Sequence, residues 1–120
     1  MGRAQSYKRV ALVVEDDVLQ RASITTLLEE SELQVIQCES GEAAEIVLDH
    51  VGGCLSALIA DVNLAGRMDG LELAQIAKQR FPELRIVIMS ANPRASRLPD
   101  GTQFLAKPWS PLELLRKTLH

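Results

Sequence analysis

The chain has 120 residues, of which 47% are hydrophobic and 24% are charged, a composition typical of one globular domain with a single core. Its 13 lysines and arginines against 16 aspartates and glutamates give a net charge of −3, which argues against a non-specific grip on nucleic acid. The longest clean apolar run, Val10 to Val14, is too short to span a bilayer, so we expect no membrane association.

The first third of the chain alternates between β-prone and helical patterns. Residues 10–14 form a continuous apolar run, as expected for a parallel strand covered on both faces. Asp16 or Asp17 then caps a helix that extends to about Glu30, and Asp17 is interpreted as a capping acid alone. Residues 33–38 are more mixed in polarity, which favours a strand at the edge of a sheet.

The middle of the chain contains two more helices and a third strand. Ser40 is a good N-cap for the second helix, which the pair Gly52-Gly53 ends. The third strand covers residues 55–60. After a loop, Asp69 opens a third helix through a capping-box pattern, and that helix ends at about Phe81.

The last third of the chain departs from this regular alternation. Two short strands are predicted at residues 86–89 and 103–106, but the segment 91–102 between them contains two prolines and an Asp-Gly pair. It has room for a single helical turn, so the fourth helix is predicted to be shortened or missing. Ser110 caps the final helix. Three leucines of that helix are predicted to share its buried face: Leu112, Leu115 and Leu119.

This order of elements predicts an α/β fold with a doubly wound, five-stranded parallel sheet. Right-handed crossovers leave few topologies, and the flavodoxin-like strand order 2-1-3-4-5 fits best because it places the weak strand 33–38 at an edge. The two cysteines, Cys38 and Cys54, are expected to be free thiols.

Polar side chains follow the carboxyl ends of the predicted strands, where ligands bind in such a sheet. Clustered carboxylates repel one another, and a hard divalent cation such as Mg²⁺ would relieve that repulsion. A hydroxyl and an ammonium group could donate to phosphoryl oxygens. These groups together suit phosphoryl transfer to Asp61. They are Glu15, Asp16, Asp61, Ser90 and Lys107.

The residues resemble the receiver domain of two-component response regulators, the CheY-like family. The likeness covers nearly the whole chain, and each motif is weak alone but strong in this order and spacing. The motifs that carry it are Ala11–Asp17, Leu58–Leu64, Met68–Ala74, Val87–Ala91 and Phe104–Pro108.

The resemblance implies a specific role for each site residue. Asp61 would be the phosphoacceptor. Asp16 would bind Mg²⁺ directly, Glu15 would act largely through water, and the backbone carbonyl of Asn63 would be a further metal ligand. Lys107 would pair with phosphoryl oxygens.

The resemblance also implies a switch and a tight turn. Ser90 would follow the phosphoryl group and Phe104 would turn inward with it, although simple packing explains Phe104 equally well. Lys107-Pro108 would be a cis peptide. The loop after Asp61 is one residue longer than is usual in the family, and the interval from Ser90 to Lys107 is shorter.

We therefore expect residues 1–120 to form one stand-alone receiver, with residues 1–7 disordered, no output domain and a cytoplasmic location. It would accept a phosphoryl group from a histidine kinase or a histidine phosphotransfer protein and catalyse only its own phosphorylation and dephosphorylation. It would signal to an unknown output protein, or act as a phosphate sink or shuttle, as a monomer or weak homodimer.

Two alternatives belong to other functional classes. A pseudo-receiver would bind partners without being phosphorylated, but it would have no need to keep repelling carboxylates together. An enzyme on the same architecture is disfavoured for two reasons. A haloacid-dehalogenase phosphatase would want Asp where Asn63 stands, and the sequence lacks the G-x-S-x-G motif of an α/β-hydrolase. The spacing from Gly66 to Gly70 lies in a polar loop and is given no weight.

Overall fold

A computed structural model describes residues 9–92 and 98–119 as a five-stranded parallel sheet flanked by helices. The strand order is β2-β1-β3-β4-β5, as predicted, and the weak second strand lies at an edge. All four strand pairings are parallel. The strands are β1 (Val10–Val14), β2 (Gln34–Cys38), β3 (Ala57–Asp61), β4 (Arg85–Ser90) and β5 (Gln103–Ala106).

Four α-helices are present in the described residues, and each begins next to a polar capping residue. Asp17 accepts a hydrogen bond from the backbone of Gln20, and Ser40 accepts one from Ala43. Asp69 forms the predicted reciprocal capping box with Glu72. The helices are α1 (Val18–Glu30), α2 (Gly41–Val51), α3 (Gly70–Arg80) and α4 (Pro111–Leu119).

The sheet separates two hydrophobic cores, because alternate residues of a strand point to opposite faces. Leu12, Leu58 and Ile88 belong to the core under α2 and α3. Val13 and Ile59 belong to the core under α1 and α4. The three central strands are therefore apolar at almost every position, which is why their sequences read as continuous runs.

The predicted apolar face of the last helix was partly wrong. Leu112 is 64% exposed, whereas Leu114 and Thr118 are buried and Leu115 is half-buried. Since a helix turns by about 100° per residue, Leu112 and Leu114 lie on nearly opposite sides. The buried face therefore begins at Leu114, two residues later than the leucine pattern suggested.

The third strand begins later than predicted, at Ala57 rather than Leu55. A 3₁₀ turn, Gly52–Cys54, follows α2 and takes up the intervening chain. A Cβ atom on Gly52 would lie 2.2 Å from the ring of Phe81, so glycine is required there by close packing rather than by a left-handed turn.

Between β4 and β5, the described residues 91–92 and 98–102 form no helix, in agreement with a shortened connection. Residues 93–97 lie outside the described part of the chain, as do residues 1–8, on which the predicted disorder falls, and residue 120. No helix in residues 9–92 and 98–119 is long and apolar enough to cross a membrane.

Candidate functional site

The carboxyl ends of three strands bring Glu15, Asp61 and Lys107 together. The Lys107 ammonium donates a hydrogen bond to Asp61 Oδ2 and lies 3.5 Å from Glu15 Oε1. Glu15 is 1% exposed and Asp61 is 5% exposed. Two acids and one base, separated by up to 92 positions in sequence, thus share a nearly buried site at the carboxyl ends of the strands.

Asp61 is fixed from both of its sides. The backbone N–H of Asn63 donates to Asp61 Oδ1 at 2.8 Å, while Lys107 holds Oδ2. Behind the carboxylate, Gly70 begins α3, and a Cβ atom there would lie 2.1 Å from the Asp61 carbonyl oxygen. Only glycine allows α3 to start this close to the end of β3.

The surroundings of Glu15 disfavour the charged form of its carboxyl group. Burial raises its pKa to about 7, and the nearby charge of Asp61 and the side chain of Asp16 act in the same direction. The Asp17 backbone N–H, which donates to Oε2 at 3.1 Å, and the charge of Lys107 oppose that rise. Oε1 is buried and accepts no hydrogen bond within the described residues.

Lys107 balances this negative charge. Burial alone would lower its pKa, but the hydrogen bond to Asp61 and the charges of Asp61 and Glu15 raise that pKa above its usual range. The ammonium is therefore charged at neutral pH. The Lys107-Pro108 peptide bond is cis, as the resemblance implied.

The donor set suits a divalent cation that keeps most of its water. In residues 9–92 and 98–119, no three His, Cys, Asp or Glu side chains are arranged to hold a metal together. Mg²⁺ needs only one or two carboxylates and completes its shell with water. The unpartnered Glu15 oxygen and the solvent-exposed Asp16 beside it fit such an ion.

Ser90 lies beside Lys107 at the end of β4, and Phe104 lies on β5. Within the described residues, no hydrogen bond joins either of them to Asp61. The Ser90 hydroxyl donates to the Asn92 carbonyl at 3.2 Å and accepts from the Asn92 backbone N–H at 3.0 Å. The Ser90 carbonyl accepts from the backbone N–H of Lys107 at 3.0 Å. Phe104 is half-buried on β5, opposite Ile88 of β4.

Sequence reasoning missed Arg21, which supports the acidic loop. Its guanidinium donates to the Glu15 carbonyl at 2.7 Å and to Gln37 Oε1 at 3.3 Å. Arg21 stands one helical turn after the N-cap Asp17, and this position next to the acidic end of β1 was the signal that could have identified it. Sequence reasoning also missed the glycine requirement at Gly70, since it arises from a contact with the Asp61 carbonyl that no local pattern encodes.

An apolar groove of about 560 Å³ opens beside Lys107. Trp109 is half-buried and packs against the core under α1 and α4 while also lining this groove, so it both covers the core and faces the surface. Arg94 and Arg97 belong to the segment 91–102, for which the sequence predicts a solvated loop or a single turn, and they lie outside the described residues.

Comparisons with known proteins agree on one family. The family model described as the response regulator receiver domain matches residues 11–119. The response regulator protein FleR of Pseudomonas aeruginosa is 31% identical over 109 residues, which is 87% of this chain and 22% of FleR. Nodulation protein W of Bradyrhizobium diazoefficiens is 30% identical over 115 residues, 92% of this chain and 49% of that protein.

Solved structures have the same fold. The CheX-CheY-BeF3-Mg complex from Borrelia burgdorferi superposes with a TM-score of 0.81 at 20% identity, covering 91% of this chain and 85% of that one. The chain spans less than half the length of the two curated relatives. With its matching family model and its five parallel strands in CheY-like order, the chain belongs to the response regulator receiver domain family.

Proposed function

We propose that this receiver accepts a phosphoryl group on Asp61 in a Mg²⁺-dependent reaction. The observation that carries the proposal is the buried Asp61 carboxylate, which Lys107 and the Asn63 backbone hold beside a second buried acid, Glu15. A merely structural ion pair would not place two buried carboxylates beside a single ammonium, because that arrangement is costly.

In the proposed reaction, an oxygen of Asp61 attacks the phosphorus of a phosphohistidine. The O–P bond forms as the P–N bond breaks, and the imidazole leaves and takes up a proton from solvent. The hydrogen bonds to Asp61 orient the nucleophile and so supply positioning, the main contribution a protein makes to phosphoryl transfer. Lys107 lies where its ammonium could pass from the carboxylate to the transferred group.

The proposed Mg²⁺ site consists of Asp16, Asp61 and the backbone carbonyl of Asn63, with Glu15 acting through water. The ion would neutralise charge on the phosphoryl oxygens during transfer. The similar CheX-CheY-BeF3-Mg complex from Borrelia burgdorferi contains Mg²⁺, which supports this choice of metal. The solvent-exposed Asp16 leaves room for coordinated water on the open side of the site.

The proposed response to phosphorylation uses Ser90. Its hydroxyl forms hydrogen bonds with the backbone of Asn92 at the end of β4, beside Lys107, and rotation of the side chain would free it to bond a phosphoryl oxygen. Phe104 would follow as the switch aromatic. As a cytoplasmic response regulator receiver, the protein would take its phosphoryl group from a histidine kinase or phosphotransfer protein. It would then bind an output partner or serve as a phosphate sink or shuttle.

The test is the intact mass after incubation with a small phosphodonor and Mg²⁺. We expect one added phosphoryl group, lost in Asp61→Asn and in the presence of a chelator. The matched control Asp49→Asn changes an exposed acid of α2 and should label normally. Full labelling of Asp61→Asn would refute the site. No labelling of the folded wild type by either a small donor or a phosphohistidine donor would favour the pseudo-receiver.

A further inference from the structure

The β3–α3 loop, residues 62–69, lies against the beginning of α2. Ser40 and Ala65 form an isolated parallel bridge between the two segments. A Cβ atom on Gly41 would lie 3.0 Å from the Met68 side chain, so the first residue of α2 packs directly on the end of the loop. The loop that follows the phosphoacceptor is therefore attached to an element outside the site.

The Glu42 carboxylate makes the main polar contact of this attachment. Its Oε2 accepts a hydrogen bond from the Arg67 backbone N–H at 2.7 Å. Gly66 has a φ of 96°, and a Cβ atom on it would lie 2.8 Å from Glu42 Oε1. Glycine at this position thus satisfies both the left-handed backbone and the close approach of the carboxylate.

The charge of Glu42 is directed at the loop backbone. The Arg67 amide lowers the pKa of Glu42 most, and the amides of Glu42 itself and Met68 and the charge of Arg67 add to that effect against burial. An acid in the first turn of a helix also interacts favourably with the helix dipole. That interaction would not require the carboxylate to reach across to Arg67, 25 positions away.

The inner end of the same loop is attached to the phosphoacceptor. The Asn63 N–H donates to Asp61 Oδ1, and Gly70 N–H donates to the Val62 carbonyl at 2.9 Å. Only three residues separate Asn63 from Arg67. A shift of the outer loop would therefore reach the Asn63 backbone over a short, connected path.

We propose that Glu42 is a positioning residue for the phosphorylation site, holding the β3–α3 loop so that the Asn63 backbone stays in place beside Asp61. This inference rests on the proposed function, because it assigns Glu42 a role at the proposed Mg²⁺ site. No hydrogen bond of residues 9–92 and 98–119 joins Glu42 to Asp61, and Glu42 is not one of the proposed Mg²⁺ ligands. It acts through the loop, in the way that groups behind a metal ligand orient that ligand.

The first measurement is the Mg²⁺ affinity of Glu42→Ala, Glu42→Gln and the control Glu45→Ala by titration calorimetry. We expect Glu42→Ala to bind Mg²⁺ roughly tenfold more weakly, as for other losses of support behind a metal ligand. Glu42→Gln keeps a hydrogen-bond acceptor and should lose less. Glu45→Ala removes the same charge from the same helix and should leave the affinity unchanged.

The second measurement separates positioning from a general loss of stability. The Mg²⁺ concentration for half-maximal phosphorylation should rise in Glu42→Ala, while the rate at saturating Mg²⁺ stays near that of the wild type. Hydrogen exchange at the Arg67 amide should accelerate in the same variant. Faster exchange at Arg67 with unchanged Mg²⁺ affinity would overturn the proposal, since the attachment would then exist without positioning the site.

The remaining outcomes are also decisive. If Glu42→Ala does not fold, Glu42→Asp carries the test, because it keeps the charge but shortens the reach to the Arg67 N–H by one methylene group, and an unchanged Mg²⁺ affinity in that variant overturns the proposal. A wild type that neither binds Mg²⁺ nor takes up a phosphoryl group would refute the proposed function and this inference together. A wild type that does both, beside an unaffected Glu42 variant, would refute this inference alone.

Discussion

Gly70, beside the site, is packed so closely against backbone that no larger residue fits there. Gly70 brings the first turn of α3 against the Asp61 carbonyl, so this helix and the strand that ends at Asp61 meet with no side chain between them. The capping box of Asp69 and Glu72 fixes where α3 begins and leaves no freedom to move the contact by a residue. The position of Asp61 beside α3 therefore depends on the lack of a Cβ atom at Gly70.

We expect Gly70→Ala to lower the free energy of unfolding by about 2–3 kcal/mol, because the added methyl group would overlap backbone rather than a flexible side chain. Chemical denaturation measures this change. Gly53→Ala is the control, since a Cβ atom there meets nothing within 4 Å, and it should be neutral or stabilising by up to about 1 kcal/mol. Equal losses in both variants would contradict the argument from close contact.

Among the elements, α4 has a start that its cap predicts correctly and a buried face that its leucine spacing predicts only in part. The Ser110 hydroxyl accepts from the Glu113 backbone N–H at 3.2 Å, which fixes the start of the helix. From that start, Leu114 points into the core with α1, whereas Leu112 points to solvent. Leucine spacing alone did not distinguish these two positions.

We predict that Leu114→Ala costs about 2–5 kcal/mol of unfolding free energy, as is usual for a buried leucine truncated in a packed core. Leu112→Ala on the same helix should change it by less than about 0.5 kcal/mol. Urea denaturation of the pair tests the assignment of the buried face. A larger loss for Leu112→Ala would mean that α4 packs in the register that the leucine pattern suggested.

The elements were predictable from sequence where local chemistry decides them. Asp69 with Glu72, and Ser110 with Glu113, mark helix starts through contacts three residues apart, and the apolar runs mark buried strands. The polar residues at strand ends followed from the parallel topology. The contact of Glu42 with Arg67 and that of Arg21 with Glu15 join distant segments through side-chain reach, which no local pattern encodes.

Across the whole molecule, the two cores give the sheet its stability, while the carboxyl ends of the strands place two buried acids beside one ammonium. Glu15 is buried with one unpartnered oxygen, and Asp61 lies beside it with a single ammonium between them. A bound cation would remove part of that electrostatic cost. Ligand binding and the stability of the entire domain should therefore be linked.

We expect saturating Mg²⁺ to raise the thermal midpoint of the wild type, by an amount equivalent to about 2.7 kcal/mol when the free ion is at 100 times its dissociation constant. Asp16→Asn should lose most of this gain while retaining the metal-free midpoint, because Asp16 is exposed. Differential scanning calorimetry with Mg²⁺ and with a chelator measures both. An undiminished gain in Asp16→Asn would move the metal site elsewhere.

Trp109 is the only tryptophan in the sequence, and it lines the groove next to Lys107. Its indole emission therefore samples the end of the sheet that carries the site and no other part of the protein. The proposed binding of metal, phosphoryl group and partner can therefore each be followed in unlabelled protein by the wavelength and intensity of Trp109 fluorescence.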